Sequence, residues 1–301
     1  MKQYLAIDIG ASSGRHIVGR QEGGKLLTEE VYRFPNGVKT ENGHLVWDAQ
    51  RLLEEVKRGM RAAVEKCGKI DSFSIDTWAV DYVLLGKEGE IFPCYAYRDG
   101  RTAEAIEKVH GILPFAELYA RTGIQFQPFN TIYQLYADKM AGRLDGAEEF
   151  LMLPEYLLYK LTGKKVSEYT NATATGLVSA KTHAFDADIV AALGLPARLF
   201  EKELAQPGSD VGGLLPEVAA EVGGDMRAVL CATHDTASAV IAAPVACDFD
   251  SPYISSGTWS LLGIEQKQAH TDEYSRKENF SNEGGANFTF RWQKNIMGLW
   301  M

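Results

Sequence analysis

The sequence predicts an α/β protein with two related domains, of which the second is incomplete. Apolar, strand-like segments are interspersed with segments whose apolar residues recur at helical spacing. Two segments share one design of apolar strand, Ser- and Gly-rich turn and apolar strand: YLAIDIGASSGRHIVGR begins at residue 4 and YISSGTWSLLGIE at residue 253. A repeat at a separation of roughly 245 residues indicates two related domains rather than a solenoid. Only about 50 residues follow the start of the second copy, too few for a domain like the first.

Composition and charge exclude several classes of protein. The 301 residues are 46% hydrophobic, enough for a large core and for more than one domain. The formal charge is −9 and Lys and Arg form no run, so we expect no nucleic-acid partner. No segment reaches the roughly 18 apolar residues of a membrane span, and no signal peptide precedes the first strand, so we expect no membrane partner. The cysteines form no C-x-x-C pair, which predicts reduced thiols in a cytoplasmic protein: Cys67, Cys94, Cys231 and Cys247.

The first domain is predicted to begin with antiparallel strands and to continue with helices and strands. YLAIDIG, RHIVGR and LLTEEVYRF predict three strands, and WDAQRLLEEVKRGMRAAVEK predicts a helix with Asp48 as its N-cap. A hairpin is expected to turn at residues 87–89. Residues 101–195 are predicted to be mostly helical, with helices that end at Gly123, Gly163 and Gly194.

The boundary between the two domains is predicted after residue 246. AVLCATHDTASAVIAAP predicts a buried strand that ends in His-Asp-Thr and is followed by a helix of small residues. The first domain therefore covers residues 1–246, and residues 247–301 begin the second. The last segment, NIMGLWM, has the apolar character of the middle of a helix. We therefore expect the chain to stop inside its second domain.

The first Gly-rich turn has the features of a phosphate cradle. Gly10 and Gly14 allow unusual backbone angles and close approach of a ligand, and consecutive backbone N–H groups in such a turn can bind an anion. Ser12, Ser13 and Arg15 supply further donors. The turn lacks the lysine of the P-loop and the following helix of the dinucleotide-binding fingerprint. The alternative is a plain hairpin in which Ser and Gly serve the turn geometry.

An acidic residue, Asp8, ends the strand before this turn. A carboxylate beside a phosphate cradle is repulsive unless a cation lies between them, and Mg²⁺ with its waters would reconcile the two. The alternative is that Asp8 accepts hydrogen bonds from nearby backbone N–H groups of the turn.

The segment CATHDTASAV places His234, Asp235 and Thr236 at the carboxyl end of a strand, the edge at which α/β folds bind ligands. Asp235 either caps the following helix or acts as a base for a hydroxyl nucleophile. Phosphoryl transfer accepts a weak base, because positioning matters more than early proton removal in its loose transition state.

Polar groups beside an indole in SIDTWAVDYVLL are typical of a sugar site. The alternatives for this segment are core packing for its tryptophan and turn formation for its last aspartate. YRDGRT and GIQFQPFNTIYQL contain further polar residues that could bind a sugar. The alternatives for these are a solvated loop and an ordinary helix N-cap. The second Ser- and Gly-rich turn, at 255–258, would grip a polyphosphate together with the first turn if the two face each other. The candidate sugar partners are Asp76, Thr77, Trp78, Asp81, Arg98, Asp99, Gln125, Gln127 and Asn130.

Along nearly the whole chain these segments resemble the FGGY carbohydrate kinases, whose fold is shared by the actin, hexokinase and Hsp70 ATPases. The matching stretches are DIGASSGR, NGHLVWD, IDTWAVDYVLL, YRDGRT, GIQFQPFNTIYQL, EYTNATATGL, THDTASAVIA, YISSGTWSLLG, NEGGA and KNIMGLW. Within the family, the chain is most similar to the kinases that act on L-rhamnulose. The resemblance implies ribonuclease H-like domains and transfer of the γ-phosphoryl group of ATP to the 1-hydroxyl of L-rhamnulose in L-rhamnose breakdown. It also implies a monomer that uses Mg²⁺.

The resemblance assigns roles residue by residue. The matched residues are Asp235 for catalysis; Ala79, His234, Asp235 and Thr236 for the ketose; Ala11, Ser12, Ser13, Gly14, Arg15, Thr258 and Asn295 for ATP; and Asp8 for magnesium. Ala79 departs from the family pattern, which has Gly there, and the family's later Gly-rich adenosine motif has no counterpart before Met301. Two alternatives remain: a kinase for another ketose such as L-fuculose, and a ketose-binding fragment without transferase activity.

Overall fold

The computed structural model describes residues 2–244, 249, 251–257 and 259–297. Within them the chain alternates strands with helices, so the predicted α/β class is confirmed. The strands are β1 (Gln3–Ile9), β2 (Ser13–Glu22), β3 (Lys25–Pro35), β4 (Lys39–Glu41), β5 (His44–Trp47), β6 (Ser72–Thr77), β7 (Tyr82–Gly86), β8 (Gly89–Ile91), β9 (Cys94–Tyr95), β10 (Glu149–Met152), β11 (Asp210–Gly213), β12 (Arg227–Val229), β13 (Tyr253–Ser256), β14 (Trp259–Gln266), β15 (Ser281–Gly284) and β16 (Phe290–Met297). The helices are α1 (Ala49–Cys67), α2 (Ala103–Ile112), α3 (Phe115–Thr122), α4 (Thr131–Met140), α5 (Leu153–Thr162), α6 (Tyr169–Thr173), α7 (Ala187–Ala192), α8 (Pro216–Val222), α9 (Asp235–Ile241) and α10 (Glu273–Lys277). None of these helices is long and apolar enough to cross a membrane.

A six-stranded sheet forms the centre of the first domain, in the order β11-β12-β6-β1-β2-β3. Strands β1, β2 and β3 are antiparallel neighbours, as predicted. Strand β6 pairs parallel with β1, and β12 pairs parallel with β6. The carboxyl ends of β1, β6 and β12 therefore meet at one edge of the sheet. This is the edge at which parallel sheets bind ligands.

Helix α1 packs against this sheet through its apolar face. Asp48 is the N-cap, and its side chain accepts a hydrogen bond from the backbone N–H of Arg51, as predicted. The helix buries one side of successive turns in the core that it shares with β1 and β6. Gly123 and Gly163, in the left-handed conformation, end α3 and α5, which confirms those helix ends. Gly194, also with a positive φ, follows α7.

The second sheet, of order β13-β14-β16-β15, is antiparallel throughout. Its β13–β14 hairpin has the strand–turn–strand design of the β1–β2 hairpin, so the two segments of the repeat adopt the same local structure. The predicted domain boundary, between residues 246 and 247, lies outside the described residues.

The expectation of a helix at the end of the chain was wrong for Asn295 to Met297. These residues belong to β16, which pairs with β14 from Trp259↔Met297 to Gln266↔Phe290. The alternating strand pattern is hidden in the sequence because two of its buried positions are polar. Arg291 and Gln293 are both fully buried and find hydrogen-bond partners inside the fold. Residues 298–301 lie outside the described residues.

Strand β15 fastens the second sheet to the helices of the first domain. The Asn282 backbone N–H donates to the Gly123 carbonyl at 2.8 Å, and the Gly284 N–H donates to Thr173 Oγ1 at 2.8 Å. The Tyr119 hydroxyl donates to the carbonyl of residue 280, also at 2.8 Å. These contacts hold Glu283, which lies between Asn282 and Gly284, at a fixed place beside the first domain.

A buried histidine in β2 predicts how stability depends on pH. His16 is fully buried with Nε2 3.2 Å from the Val56 carbonyl, and burial lowers its pKa from 6.5 to about 4. The unfolded chain therefore binds more protons below pH 6.5, so this contribution to stability is lost as the pH falls towards 4. We expect the free energy of unfolding of the protein to fall, relative to that of His16→Gln, by about 3 kcal/mol between pH 7 and pH 4. Urea titrations of both proteins measure this difference, and a difference that does not vary with pH contradicts the prediction.

Candidate active site

A cavity of about 550 Å³ lies between the two sheets, at the edge where β1, β6 and β12 end. Residues from the first turn, the loop after β6, the start of α9 and the β13–β14 turn line it. The cavity brings together most of the residues that sequence reasoning selected: Asp8, Ala11, Ser12, Ser13, Arg15, Ala79, His234, Asp235, Thr236 and Asn295. Thr258 lies outside the described residues, and Gly14 does not line the cavity.

Asp8 forms an ion pair with the arginine of the same turn. Arg15 Nε and Nη2 lie 2.8 Å and 2.7 Å from one carboxylate oxygen of Asp8, because the two residues face each other across the β1–β2 hairpin. The cation beside Asp8 in this structure is therefore Arg15. The alternative interpretation, in which Asp8 accepts hydrogen bonds from the turn N–H groups, finds no such bond among the described residues. Both side chains remain partly exposed to the cavity.

Gly14 is required by packing and not by unusual backbone angles, which corrects the interpretation of the turn. Neither Gly10 nor Gly14 has a positive φ. Gly14 is buried on the core side of β2, opposite Ile9, and a Cβ atom there would overlap the ring of Phe34. At Gly10 the nearest atom to such a Cβ is the Ser13 carbonyl oxygen at 3.4 Å.

We therefore expect Gly14→Ala to destabilise the protein and Gly10→Ala to be tolerated. Phe34 is buried, so its ring cannot turn aside freely, and overpacking of this kind costs about 1–3 kcal/mol. Thermal unfolding of the two variants tests the prediction, with Gly10→Ala as the matched control. Equal melting temperatures for the two variants would contradict the packing explanation.

Three carboxylates gather at the sheet edge. Asp8 lies opposite Asp76 in the register of β1 with β6, and a bridge from Thr77 to His234 brings Asp235 beside them. Burial raises the pKa of Asp76 well above its usual range, and the negative charges of Asp8 and Asp235 raise it further. Asp76, a candidate sugar partner from the sequence, does not line the cavity and is the middle member of this group of carboxylates.

The carboxylate oxygens at this edge fit a hydrated magnesium ion. Mg²⁺ takes carboxylate oxygens and usually keeps several waters, and Asp8 lines the cavity together with Asp235. Among the described residues, no three His, Cys, Asp or Glu side chains lie close enough to bind a metal ion together. One or two of these carboxylates would hold such an ion together with water ligands.

Asp235 has the environment of a strengthened base. It is the first residue of α9, and its Oδ1 accepts hydrogen bonds from the Thr236 N–H at 2.6 Å and hydroxyl at 3.3 Å. Burial raises the pKa of Asp235 above its ordinary value; His234 opposes the rise and Asp8 adds to it. The carboxylate thus binds the first turn of the helix and also faces the cavity.

The loop after β6 forms an apolar wall with a few polar groups. Trp78, Ala79 and Tyr97 line the cavity beside Phe129. Gln125 also lines it and is 3% exposed, and its Oε1 has no hydrogen-bond partner among the described residues. A buried acceptor of this kind is costly unless a ligand hydroxyl donates to it.

A strained residue fixes the shape of this loop. Val80, a β-branched residue, has a φ of 71°, which such residues rarely adopt. Its carbonyl accepts hydrogen bonds from Thr131 Oγ1 at 2.8 Å and Gln134 Nε2 at 3.2 Å, both on α4. Strain held by surrounding structure is common in binding sites, and no residue pattern around Val80 predicts it.

Three other candidate sugar partners make hydrogen bonds within the fold. Asp81 is fully buried and accepts hydrogen bonds from two indoles, a backbone N–H and an amide. Asp99 binds the Leu45 N–H and His44. Asn130 lines the cavity and occupies the N-cap position of α4, and its side chain donates to the carbonyl of Gln125.

The second turn lines the same cavity as the first. Ser255, Ser256 and Gly257 contribute to its lining together with Ser12 and Ser13, so both turns border the space in which a phosphate group could bind. Asn295 lines the cavity from β16, and its buried Oδ1 has no hydrogen-bond partner among the described residues.

Sequence reasoning missed two residues at this site. Arg33, on β3, lines the cavity beside the first turn. Glu283, on β15, lines it beside His234 and approaches the ring at 3.2 Å. The sequence contained one signal for Glu283, the NEGGA motif, which stood out only as one of the stretches that resemble the family.

Comparison with known proteins identifies the family. The description of the matching family is "FGGY family of carbohydrate kinases, N-terminal domain", and the match covers residues 3–242. The chain belongs to the FGGY family. This FGGY chain is 47% identical over 300 residues to a rhamnulokinase of Oceanobacillus iheyensis and 43% identical over 302 residues to one of Bacillus subtilis. Each alignment covers 99% of the chain, which spans 63% and 61% of the length of these relatives.

Solved structures confirm the predicted fold of this FGGY chain. A xylulose kinase from Lactobacillus acidophilus superposes with a TM-score of 0.84 at 19% identity, over 98% of the chain and 60% of that structure. A glycerol kinase from Plasmodium falciparum with ADP gives 0.80 at 14% identity, over 99% and 61%. The chain therefore has the actin- and hexokinase-like fold of the FGGY carbohydrate kinases.

Proposed function

We propose that this protein is an ATP-dependent ketose kinase that converts L-rhamnulose to L-rhamnulose 1-phosphate in L-rhamnose catabolism. The observation that carries the proposal is the position of Asp235 in the cavity. Asp235 shares the cavity with Trp78 and Gln125, an apolar ring face and a buried acceptor of the kind that sugars need. The two Ser- and Gly-rich turns line the same cavity. The identity of the chain to rhamnulokinases supports the choice of ketose.

In this proposal the 1-hydroxyl of the ketose lies within reach of Asp235. The hydroxyl oxygen attacks the γ-phosphorus of ATP, the bond from that phosphorus to the β–γ bridging oxygen breaks, and ADP leaves. Asp235 accepts the hydroxyl proton, for which its raised pKa makes it a better acceptor than a carboxylate at its ordinary pKa. Trp78, Gln125, His234 and Thr236 hold the ketose, with Ala79 against it.

The two turns serve the nucleotide in this proposal. Backbone N–H groups and hydroxyls at residues 11–13 and 255–257 bind the phosphates, and Gly14 serves by its packing. Arg15 divides its donors between Asp8 and the nucleotide, and Asn295 contacts the nucleotide from β16. Magnesium, when bound through water by Asp8, neutralises phosphate charge. The use of magnesium, the monomeric state, the role of Thr258 and the cytoplasmic location remain predictions.

The test is turnover by the purified chain of residues 1–301 with Mg²⁺-ATP and a panel of ketoses. We expect ADP release with L-rhamnulose to exceed that with L-fuculose or D-xylulose, and ³¹P NMR to show a 1-phosphate ester. Preference for L-fuculose would contradict the assigned substrate. Calorimetric binding of L-rhamnulose without turnover would support the alternative of a ketose-binding protein, and absence of both would contradict the proposal.

A further inference from the structure

Both ring nitrogens of His234 face carboxylate oxygens. Nδ1 lies 3.2 Å from Oε2 of Glu283, and Nε2 lies 3.5 Å from Oδ1 of Asp235. His234 is 8% exposed. A ring nitrogen that faces a carboxylate oxygen at such a distance is placed to donate a proton to it, because two lone pairs would otherwise repel. The imidazole therefore connects the second sheet to the candidate base.

Glu283 is itself fixed by a buried arginine. Arg291, from the neighbouring strand β16, is fully buried; its Nη2 donates to Glu283 Oε2 at 3.1 Å and its Nε to the Gly284 carbonyl at 3.1 Å. Burial alone would raise the pKa of Glu283, but the hydrogen bond from His234 and the charge of Arg291 outweigh it and lower the pKa to about 2. Glu283 is therefore ionised throughout the neutral range and accepts hydrogen bonds only.

We propose that Glu283 is a positioning residue for Asp235: it accepts the Nδ1 proton of His234 and so fixes the ring with Nε2 towards the base. This inference rests on the proposed function only for the role of Asp235, since the contact of Glu283 with His234 is a property of the folded chain. A carboxylate that accepts the second ring proton of a histidine sets both its tautomer and its orientation.

The arrangement couples the two sheets at the site of chemistry. Asp235 and His234 follow β12 of the first domain, whereas Glu283 comes from β15, which is fastened to the first domain at Asn282 and Gly284. The position of β15 therefore sets the direction of the imidazole, and the imidazole limits where the Asp235 carboxylate can lie. An error of about 1 Å in the position of a catalytic group costs roughly 10²-fold in rate.

Another arrangement of protons would give Glu283 no such role. Arg291 Nη2 also lies 3.2 Å from His234 Nδ1, and if the guanidinium donated to an unprotonated Nδ1, Nε2 would carry the ring proton. That arrangement sets the lone pair of Nδ1 against the Glu283 carboxylate at 3.2 Å. In the proposed arrangement the Nδ1 proton faces the Arg291 Nη2 donor at the same 3.2 Å, but that donor is already directed to Glu283 Oε2 at 3.1 Å. The proton on Nδ1 decides between the two arrangements.

The first experiment observes that proton directly. Two-dimensional ¹H–¹⁵N spectra of the chain with ¹⁵N-labelled histidine, at pH 7.5, report which nitrogen of each ring is protonated, and the spectrum of His234→Gln assigns the signal. We expect a proton on Nδ1 of His234, with Nε2 either protonated or free. A ring protonated at Nε2 alone would overturn the proposal. This measurement needs no variant at Glu283 and no turnover.

The second experiment removes the acceptor. We expect Glu283→Gln to accelerate exchange of the Nδ1 proton with water and to lower kcat by about 10²-fold, with the KM for ATP nearly unchanged. The matched control is Glu278→Gln, which removes an exposed carboxylate paired with Lys294 and should change neither quantity. An unchanged His234 signal or an unchanged kcat in Glu283→Gln would overturn the proposal. If the unaltered chain shows no turnover, the proposed function fails, and the exchange measurement still decides this inference.

Discussion

Asp235→Asn is expected to lower the turnover number by about 10²–10⁴-fold while the chain still binds ketose, since this is the range that a positioned base contributes. The amide cannot accept the hydroxyl proton of the sugar, but it has nearly the same size as the carboxylate. Its oxygen can still accept the hydrogen bond from the Thr236 N–H, which in the unaltered protein is 2.6 Å long. The start of α9 should therefore persist, and the loss should fall on kcat. Steady-state kinetics with Mg²⁺-ATP and calorimetry with L-rhamnulose measure the two effects separately.

The control for this variant is Asp225→Asn, which makes the same carboxylate-to-amide change at an exposed aspartate before β12. We expect it to leave kcat and ketose affinity unchanged. Near-normal turnover in Asp235→Asn would remove Asp235 from the chemistry. Loss of ketose affinity together with turnover would instead make it a binding residue.

The sheet edge at which Asp235 lies could be predicted because its signals are local. The strands β1 and β6 are followed within two residues by a turn or a polar loop, β12 is followed by His234 five residues after its end, and parallel strands bring their carboxyl ends together. Asp8 and Asp235 could therefore be assigned to one site from their places at strand ends. The repeated design of the two turns suggested that they could act together, and both line the cavity.

The partners of these residues could not be predicted, because they depend on contacts between distant segments. The separation of Glu283 from His234 in sequence says nothing about their contact, which exists only because β15 is fastened to α3 and α6. The prediction of a helix near Asn295 was wrong for a related reason. Arg291 is a charged residue at a buried position of β16, and its burial is explained by its contact with Glu283 on the neighbouring strand. Gly14 and Phe34 are a third case, in which the ring that requires the glycine is 20 residues away.

Asp81, in the predicted sugar loop, supports the residues that line the candidate sugar site without lining it itself. It is fully buried, and its Oδ2 accepts hydrogen bonds from Trp47 Nε1 at 2.6 Å, Trp78 Nε1 at 2.8 Å and the Tyr97 N–H at 3.1 Å. Burial raises its pKa to about 6, and the hydrogen bonds that it accepts oppose that rise, so the group is mostly ionised at neutral pH. One carboxylate thus anchors Trp78 and the backbone of Tyr97, which both line the cavity.

We expect Asp81→Ala to lower the free energy of unfolding by about 4–5 kcal/mol, since each buried donor left without a partner costs about 1–3 kcal/mol. Two indole N–H groups and one backbone N–H lose their acceptor. Gln134 retains the carbonyls of Val80 and Phe129 and should contribute little to the loss. Urea unfolding followed by tryptophan fluorescence measures the change, and calorimetry of the variant that remains folded at low temperature measures ketose affinity.

Asp81→Asn is the matched variant, because its oxygen can still accept from both indoles while its amide opposes the Gln134 donor. We expect it to lose less than half as much stability as Asp81→Ala and to retain most of the ketose affinity. If the two variants lose stability equally, the charge of Asp81 and not its acceptor geometry holds the loop. If Asp81→Ala binds ketose normally, then Trp78 keeps its place without this hydrogen bond, and the strained backbone at Val80 is sufficient to shape the sugar wall.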